Sequence, residues 1–298
     1  MRHVMVSLTR VLCVAALLIL LAGFAGSVHP LGDSLVVFAV PAAVLVALTI
    51  WFTGWHWRVI LILAFSVVAL LAVRLVALAD RGDAPEDALV LYQKNMRYEA
   101  RDRSDLLADI KASGAGVVTL QEVSEPNAAV LKALSDRMPS QLLCPGAPTG
   151  GVAVLSSLPR GPAEPVCAGD DRMAALQVMT VDGPVWLVSL HLRWPWPQDQ
   201  ARQAERLATR LQSLEGRVIV SGDFNNTHWS YSLRRIGDAT RTRRIHPVQP
   251  SFTLPYLPIG ITIDHILVPN DIAGQVIRRP KFASDHHGLV ARIGISPR

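Results

Sequence analysis

Cysteine is scarce, with three in 298 residues, which excludes a small disulfide scaffold. Charge is scarcer still at the front of the chain. The first 79 residues hold only Arg2, Arg10, Asp33, Arg58 and Arg74, which excludes a purely soluble protein. Internal repeats and low-complexity tracts are absent, and half of all residues are hydrophobic, so the chain is not a disordered one. Nearly all the charge sits from residue 80 onward, where the composition is that of an ordinary soluble domain, long enough to bury a sizeable core. The net charge of +5 divides into +3 for the first 79 residues and +2 for the rest, so the excess of base says little about nucleic-acid binding.

Three apolar runs, 11–28, 35–52 and 59–79, fill the front. Each approaches the ~20 residues that cross a hydrocarbon core as a helix, and three transmembrane helices are expected. The links 29–34 and 53–58 suit tight helical hairpins. Trp51, Trp55 and Trp57 flank the second link as interfacial aromatics do. Arg74 inside the third run snorkels to the surface or faces another helix. Arg2, Arg10 and Arg58 against Asp33 put the N-terminus and the second link in the cytoplasm, and the domain after residue 80 outside. Cleavage of the first run as a signal peptide is the alternative for that segment. Cys13 reads as an inert apolar filler. Cys144 and Cys167 are the two cysteines of the outer domain, and a disulfide between them is expected in an oxidising compartment.

A polar linker occupies 80–87, and the soluble domain runs over 88–298. Strands are expected at 88–94, 116–120, 151–155, 174–180, 185–190, 217–220, 263–268 and 289–295. Helices are expected at 102–113, 126–137 and 198–214. The mixture is α/β with several consecutive strands, which suits two packed sheets better than a strictly alternating parallel fold.

Polar residues collect at the strand ends: Asn95, Gln121-Glu122, His191, Gly222-Asp223-Phe224-Asn225, Asp264-His265 and Ser284-Asp285-His286. Loops at strand ends are free of ladder hydrogen bonds and carry sites in folds of this class. Carboxylate and amide oxygens without cysteine form a hard donor set, suited to Mg²⁺, Mn²⁺ or Ca²⁺, of which Mg²⁺ or Mn²⁺ is the expected cofactor. An oxygen-rich metal site beside histidine suits phosphoryl chemistry. Taken singly, each of these residues also fits a turn or a satisfied core position; the order of the set carries the inference.

That ordered set resembles the endonuclease/exonuclease/phosphatase superfamily, the DNase I-like fold, across nearly all of the region after residue 88. Three apolar runs ahead of the domain, and Leu192-Arg193-Trp194-Pro195-Trp196-Pro197 after the histidine, are similar to its bacterial membrane-anchored branch. The resemblance implies a four-layer sandwich, two β-sheets flanked by helices, and a divalent-metal-dependent hydrolase of phosphate esters. It implies that Glu122 is the principal metal ligand with Asn95 beside it, and that Asp285 stands at the metal and pairs with His286. Asp223 and Asn225 would orient the attacking water and the scissile phosphate. His286 would act as base or phosphate contact, His191 would serve the transition state or leaving group, and Asp264 would orient a neighbouring histidine. The sequence departs from the common pattern at Met96-Arg97, where some branches carry a carboxylate, and at His228, where the related branch often has proline.

For Arg193, Trp194 and Trp196 two readings stand: contacts to a phosphate and to a base or headgroup layer, or a proline-stiffened loop packed on the fold. Arg234, Arg235, Arg241, Arg243 and Arg244 form either a contact for nucleic acid or anionic lipid, or a solvated face. The expected function is a membrane-anchored phosphodiesterase or nuclease of a bacterial inner membrane, with the catalytic domain outside. Its partners would be a phosphate-ester substrate and the lipid bilayer, with no protein partner predicted. A phospholipid- or sphingomyelin-type phosphodiesterase or phosphatase is the alternative, and an inactive membrane-bound binding protein is the alternative of another class.

Overall fold

The computed structural model describes residues 2–79, 87–146, 148–253 and 260–295, with the side chains of 70, 71 and 73–79 outside that description. The expected linker lies outside it except for Asp87, and so does the side chain of Arg74. Two sheets of six strands form the domain. The first has the order β13-β14-β1-β2-β4-β3, from Gly274–Arg279, Gly288–Ile293, Leu89–Asn95, Val117–Val123, Gly151–Ser156 and Ser140–Cys144. The second has the order β5-β6-β7-β8-β12-β9, from Val166–Ala168, Met173–Thr180, Gly183–His191, Arg217–Asp223, Asp264–Pro269 and Thr242–Arg244. A two-stranded ribbon, β10 (Phe252–Thr253) and β11 (Gly260–Ile261), stands apart.

Each sheet is antiparallel except for one central parallel pair, β1 with β2 and β7 with β8. A parallel pair needs a crossover, and helices supply it. Between β1 and β2 the chain forms α5 (Ser104–Ala112), and between β7 and β8 it forms α7 (Gln200–Gln212). The apolar faces of α5 and the short α6 (Ala129–Ala133) bury Leu106, Ile110, Val130 and Leu131 on the outer side of the first sheet, against Tyr92, Val118 and Leu120. Those of α7 and α8 (Tyr231–Thr240) bury Leu207, Leu211, Leu233 and Ile236 against Val188, Leu190 and Val220 of the second. The result is the expected sandwich of helices, sheet, sheet and helices.

Between the sheets the period-2 alternation of each strand sends every second side chain inward. Leu89 and Leu91 of β1, Val117 of β2, Val185 and Leu187 of β7, Ile219 of β8, and Ile266 and Val268 of β12 make one buried cluster. Each such side chain stabilises the fold by ~1.5–3 kcal/mol. At one edge a disulfide joins Cys144 of β3 to Cys167 of β5, with Cα atoms 5.3 Å apart, so it ties the first sheet to the second. The chain-entropy model gives such a bridge ~3 kcal/mol.

At the front of the chain, two helices among the described residues are long and apolar enough to cross a membrane, not three: Arg2–Gly23 and Leu31–Phe52. The third run belongs to α4 (Trp57–Ala79), of which the described apolar part is a shorter stretch, Trp57–Ala69. The first helix, α1 (Arg2–Gly23), ends five residues before the expected boundary because Gly26 and Pro30 disfavour helix. The second begins as α2 (Leu31–Leu35), tightens to a 3₁₀ turn at Val36–Phe38 and continues as α3 (Ala39–Thr49). Pro41 explains the tight turn: it removes one ladder donor and crowds the carbonyl four residues back, at Val37. Cys13 and Ala16 of α1 pack on Ala39, Ala42 and Ala43 of α3, where small side chains let the helices approach. Cys13 is buried and unpaired with another cysteine, as an apolar filler would be.

The bend between these two helices touches the two-sheet domain. Asp33 is buried and accepts hydrogen bonds from the Tyr231 and Ser232 backbone N–H groups at 2.7 and 2.9 Å, and from the Ser232 hydroxyl at 2.6 Å. These N–H groups are the donors that the first turn of α8 leaves open, and a carboxylate there also meets the positive end of the helix dipole. Ser230 caps the same helix by accepting from Leu233 N–H. Ser34 adds a bond from its hydroxyl to the Trp196 carbonyl at 2.7 Å.

Candidate active site

The inward-facing positions change character along each strand. After Leu91, β1 places Gln93 and Asn95 inward. After Val117, β2 places Thr119 and Gln121. After Leu187, β7 places Ser189 and His191, and after Ile219, β8 places Ser221 and Asp223. These polar groups bond across the gap between the sheets: Thr119 to Ser221 at 2.8 Å, Gln121 to Ser189 at 2.9 Å, and Gln93 to Asp264 at 2.8 Å. The ladder ends in a cavity of about 380 Å³ at the C-terminal ends of both parallel pairs.

Backbone geometry aims the ends of the ladder. The register of β2 against β4 shifts between Gln121 and Val123, a bulge at which Glu122 adopts φ 57°. A bulge re-aims a side chain out of the pleat, and it turns the Glu122 carboxylate into the cavity. Asn225 takes φ 47°, donates its N–H to Asp223 Oδ1 at 2.8 Å and its Nδ2–H to the Leu192 carbonyl at 2.8 Å. Gly222 is required: at φ 152°, an added Cβ would lie 2.0 Å from the Leu190 carbonyl oxygen. Non-glycine residues held at positive φ are sparse in proteins, and here Arg97, Glu122, Arg172 and Asn225 surround one region.

The expected residues converge. Asn95 Nδ2 donates to Glu122 Oε1 at 3.1 Å and to Asp223 Oδ2 at 2.9 Å. His191 Nε2 lies 3.6 Å from Asp223 Oδ2 and 3.9 Å from Glu122 Oε1. His286 Nε2 lies 3.8 Å from the same Asp223 oxygen, while its Nδ1 meets Asp264 Oδ2 at 2.8 Å. Asp264, not Asp285, therefore holds His286, because the inward position of β12 puts its carboxylate directly behind the ring. Asp285 is exposed and lines the cavity, as do Arg193 and Trp194. Trp196 is not in the cavity wall; its carbonyl takes the Ser34 bond and its ring lies 6.4 Å from that of His29.

Arg172, Thr149 and Phe252 line the cavity without a signal in the sequence. Arg172 sits in the turn from β5 to β6, inside a run of charges with no motif. Arg172 Nε, Thr149 Oγ1 and His191 Nδ1 are buried without a hydrogen-bond partner within the described protein, which leaves them open to a ligand. The expected basic cluster is mostly committed elsewhere: Arg235 pairs with Glu205, Arg243 donates to the Asn270 and Ile272 carbonyls, and Arg244 to the His228 carbonyl.

Electrostatics separate the two histidines. Burial, reinforced by Arg172 and His286, pushes His191 down to about 3, so it is neutral. Burial also opposes charge on His286, but Asp264 and Asp223 outweigh it and hold its pKa at about 9. Burial, with Asp264 adding, raises Asp223 to about 7 against the pull of His286. Burial acts upward on Asp264 too, yet His286 and its hydrogen bonds keep this carboxyl below the usual range. Burial lowers Lys94 to about 7; its ammonium nitrogen donates to the Lys281 carbonyl at 2.6 Å and to that of His286.

The donors suit a hard cation. The carboxylates of Glu122 and Asp223 both accept from the one N–H₂ group of Asn95, so two hard oxygen donors stand side by side at the cavity. One oxygen each from Asp223 and Asp264 and one nitrogen from His286 also lie within 4.8 Å of one another. Such a set fits Mg²⁺ or Mn²⁺.

The sequence pattern of the endonuclease/exonuclease/phosphatase family matches residues 92–286. The chain belongs to that family. Solved structures agree on the family's fold. Sphingomyelinase C from Streptomyces griseocarneus is 16% identical, with 69% of this chain and 99% of that one covered and a TM-score of 0.52. The TDP2 of D. rerio complexed with a single-strand DNA product is 16% identical, covers 70% of this chain and 100% of its own, and has a TM-score of 0.53. A beta toxin variant of Staphylococcus aureus with bound magnesium ions is 13% identical, covers 69% and 99%, and has a TM-score of 0.52. No curated protein sequence matches the chain.

Proposed function

We propose that this protein is a divalent-metal-dependent phosphodiesterase anchored in a bacterial inner membrane, with its catalytic domain outside. The observation that carries the reading is the convergence of Glu122, Asn95, Asp223, His191 and His286 on one cavity flanked by Arg172 and Arg193. Family members of similar fold act on phosphodiesters, as the names sphingomyelinase and DNA product indicate for those proteins. An inactive binding protein is disfavoured, because decayed sites lose members and here Glu122, Asp223, Asn225, Asp285 and His286 all remain.

Glu122 would hold the cation in this reading, with Asn95 joining it through its amide oxygen once the side chain turns from its present bond to Arg97 N–H, and with Asp285 on the same wall; the cation would neutralise charge on the phosphate. Asp223 and Asn225 position the attacking water. His286, oriented by Asp264, holds a proton at Nε2 toward a phosphate oxygen. Neutral His191 serves the leaving-group side, and Arg172 and Arg193 bind the anion.

The contact of Asp33 with α8 supports the topology. It puts the first link on the same side as the domain, while Arg10 and Thr9 bond the Thr53 and Phe52 carbonyls at the far end of the hairpin. Two crossings alone would return the chain to the side of its N-terminus, so this topology further requires α4 (Trp57–Ala79), whose described apolar part is the shorter Trp57–Ala69, to cross as well. The positive charges then lie on the cytoplasmic side.

The full chain in detergent should hydrolyse bis(p-nitrophenyl) phosphate with Mg²⁺ or Mn²⁺, and chelation should abolish turnover. Activity that survives thorough chelation contradicts the metal reading. A periplasm-dependent reporter fused after Arg298 should be active; activity only as a cytoplasmic reporter reverses the topology.

A further inference from the structure

We propose that the groove between the second apolar helix and the catalytic domain holds the hydrocarbon chains of a membrane phospholipid whose phosphodiester lies in the candidate site. The proposal rests on the phosphodiesterase reading and names its substrate class.

The groove measures about 810 Å³. Val37, Val44 and Leu48 stand on its helix wall, and Val248, Pro250 and Ile261 on the domain wall. Its volume falls in the range of sites that bury most of a small ligand, ~300–1,000 Å³. From Val37 to Leu48 the helix rises ~16 Å at 1.5 Å per residue, about half of a ~30 Å hydrocarbon core. The groove is thus as long as one leaflet is deep.

It also adjoins the polar cavity. Phe252 clusters with Ile261 and Val37 on one side, while on the other its ring lies 5.0 Å from that of His286 and lines the cavity. Trp194 meets Phe252 with ring centroids 6.1 Å apart. One aromatic residue therefore separates an anion-binding cavity from an apolar channel. A ligand that satisfies both is an amphiphile with a phosphate next to long alkyl chains. Nucleic acid has nothing to bury against Val44 and Leu48. The groove is also held in place: Asp33 fixes the start of the same helix to α8. Apolar surface of this extent, left open beside a polar site, marks a membrane or ligand contact.

The reaction balances without a further reactant. The oxygen of water bonds to phosphorus, the bond from phosphorus to the departing headgroup oxygen breaks, and a proton of the water ends on that oxygen or in solvent.

The test uses the full chain in nanodiscs of dioleoylphosphatidylcholine and dioleoylphosphatidylglycerol. Two substrates share one leaving group: dioleoyl phosphatidyl-p-nitrophenol, which has chains, and bis(p-nitrophenyl) phosphate, which has none. The wild type should favour the two-chain substrate by about tenfold or more in kcat/KM, since burial of alkyl groups contributes binding realised only with chains. Val44→Trp and Leu48→Trp, which fill the groove from exposed positions, should remove that preference and leave the chainless substrate unchanged. In parallel, phosphatidylcholine with a diazirine in one acyl chain should label Val248, Pro250 or Ile261, and Val44→Trp should suppress the label. Equal rates on both substrates, or a preference that survives both tryptophans, overturns the proposal. Labelling confined to the outer faces of the helices overturns it as well, leaving bulk lipid contact only. Failure to hydrolyse either substrate with the groove still labelled overturns the hydrolase reading and supports the occupant.

Discussion

The two halves of the space between the sheets are built by the same strands and differ in every inward side chain. At one end Leu89, Leu91, Val117, Leu187 and Ile219 exclude water. At the other, Gln93, Thr119, Gln121, Ser189, Ser221 and Asp223 are as deeply buried and polar. Strand pairing does not distinguish them, since the ladders run through both ends. The apolar half supplies stability through area removed from water. The polar half is desolvated and returns only modest net stability through its hydrogen bonds. What it supplies is a low-dielectric setting in which Asp223, Asp264 and the two histidines interact strongly. Function occupies the half where folding energy is poorest.

Four expectations break or sharpen that contrast. The largest effect is on turnover. Asp223→Ala and His286→Ala should each lower kcat on bis(p-nitrophenyl) phosphate by ~10²- to 10⁴-fold while far-ultraviolet circular dichroism is unchanged. A folded Asp223→Ala protein with wild-type turnover would remove Asp223 from the chemistry. In the apolar half, Leu187→Ala should lower stability by ~3 kcal/mol, read by thermal or denaturant unfolding, and leave the turnover of the folded fraction near wild type. A turnover loss equal to that of Asp223→Ala would erase the division between the halves.

The third concerns pH. His286 has its folded pKa raised from 6.5 to about 9. Below pH 6.5 both folded and unfolded chains carry the proton, so the stabilisation is fully present. It is lost as pH rises through 9, where the folded chain releases that proton. Lys94 runs the other way: its folded pKa of about 7, below 10.5 unfolded, adds stability as pH rises across that interval. The advantage of wild type over His286→Asn in chelated buffer, where the Lys94 effect cancels, should therefore shrink between pH 6.5 and 9. An advantage that is flat with pH would contradict the Asp264–His286 ion pair. The smallest effect belongs to the boundary between the halves. Thr119→Val with Ser221→Ala removes both partners of one buried bond, and stability should stay within ~1 kcal/mol of wild type. A loss of several kcal/mol would mean that the polar ladder carries the fold.

The same contrast explains what could be read before the fold was seen. Apolar alternation located β1, β2, β4, β6, β7, β8, β12 and β14 to within a few residues. Expected strands stopped short where the inward residues turn polar: 116–120 becomes Val117–Val123, and 217–220 becomes Arg217–Asp223. The ladder hydrogen bonds continue there although the hydrophobic signal does not. Strand-end residues Asn95, Glu122, His191, Asp223 and His286 were legible as a set because their order along the chain is distinctive. Arg172 and Thr149 were not, since a turn arginine and a loop threonine look alike whether or not they face a cavity. Helix α8 was hidden by Arg234, Arg235 and Gly237, and part of its N-terminal cap comes from Asp33, 198 residues earlier. No local pattern announces a cap from so far away.

That cap has a mechanical consequence. A rigid body tied to a support at one point can swivel through a wide cone; tied at two separate points, it can turn only about the line joining them. The two-sheet domain is tied to the N-terminal helices first through the chain itself and again through Asp33 on α8, with the Ser34 bond to the Trp196 carbonyl beside it. The second tie removes rotational freedom from the whole domain, so the mouth of the polar cavity keeps one bearing and one height relative to the helices. Asp33, remote in sequence from every residue that lines the candidate site, thereby sets the direction in which the site looks.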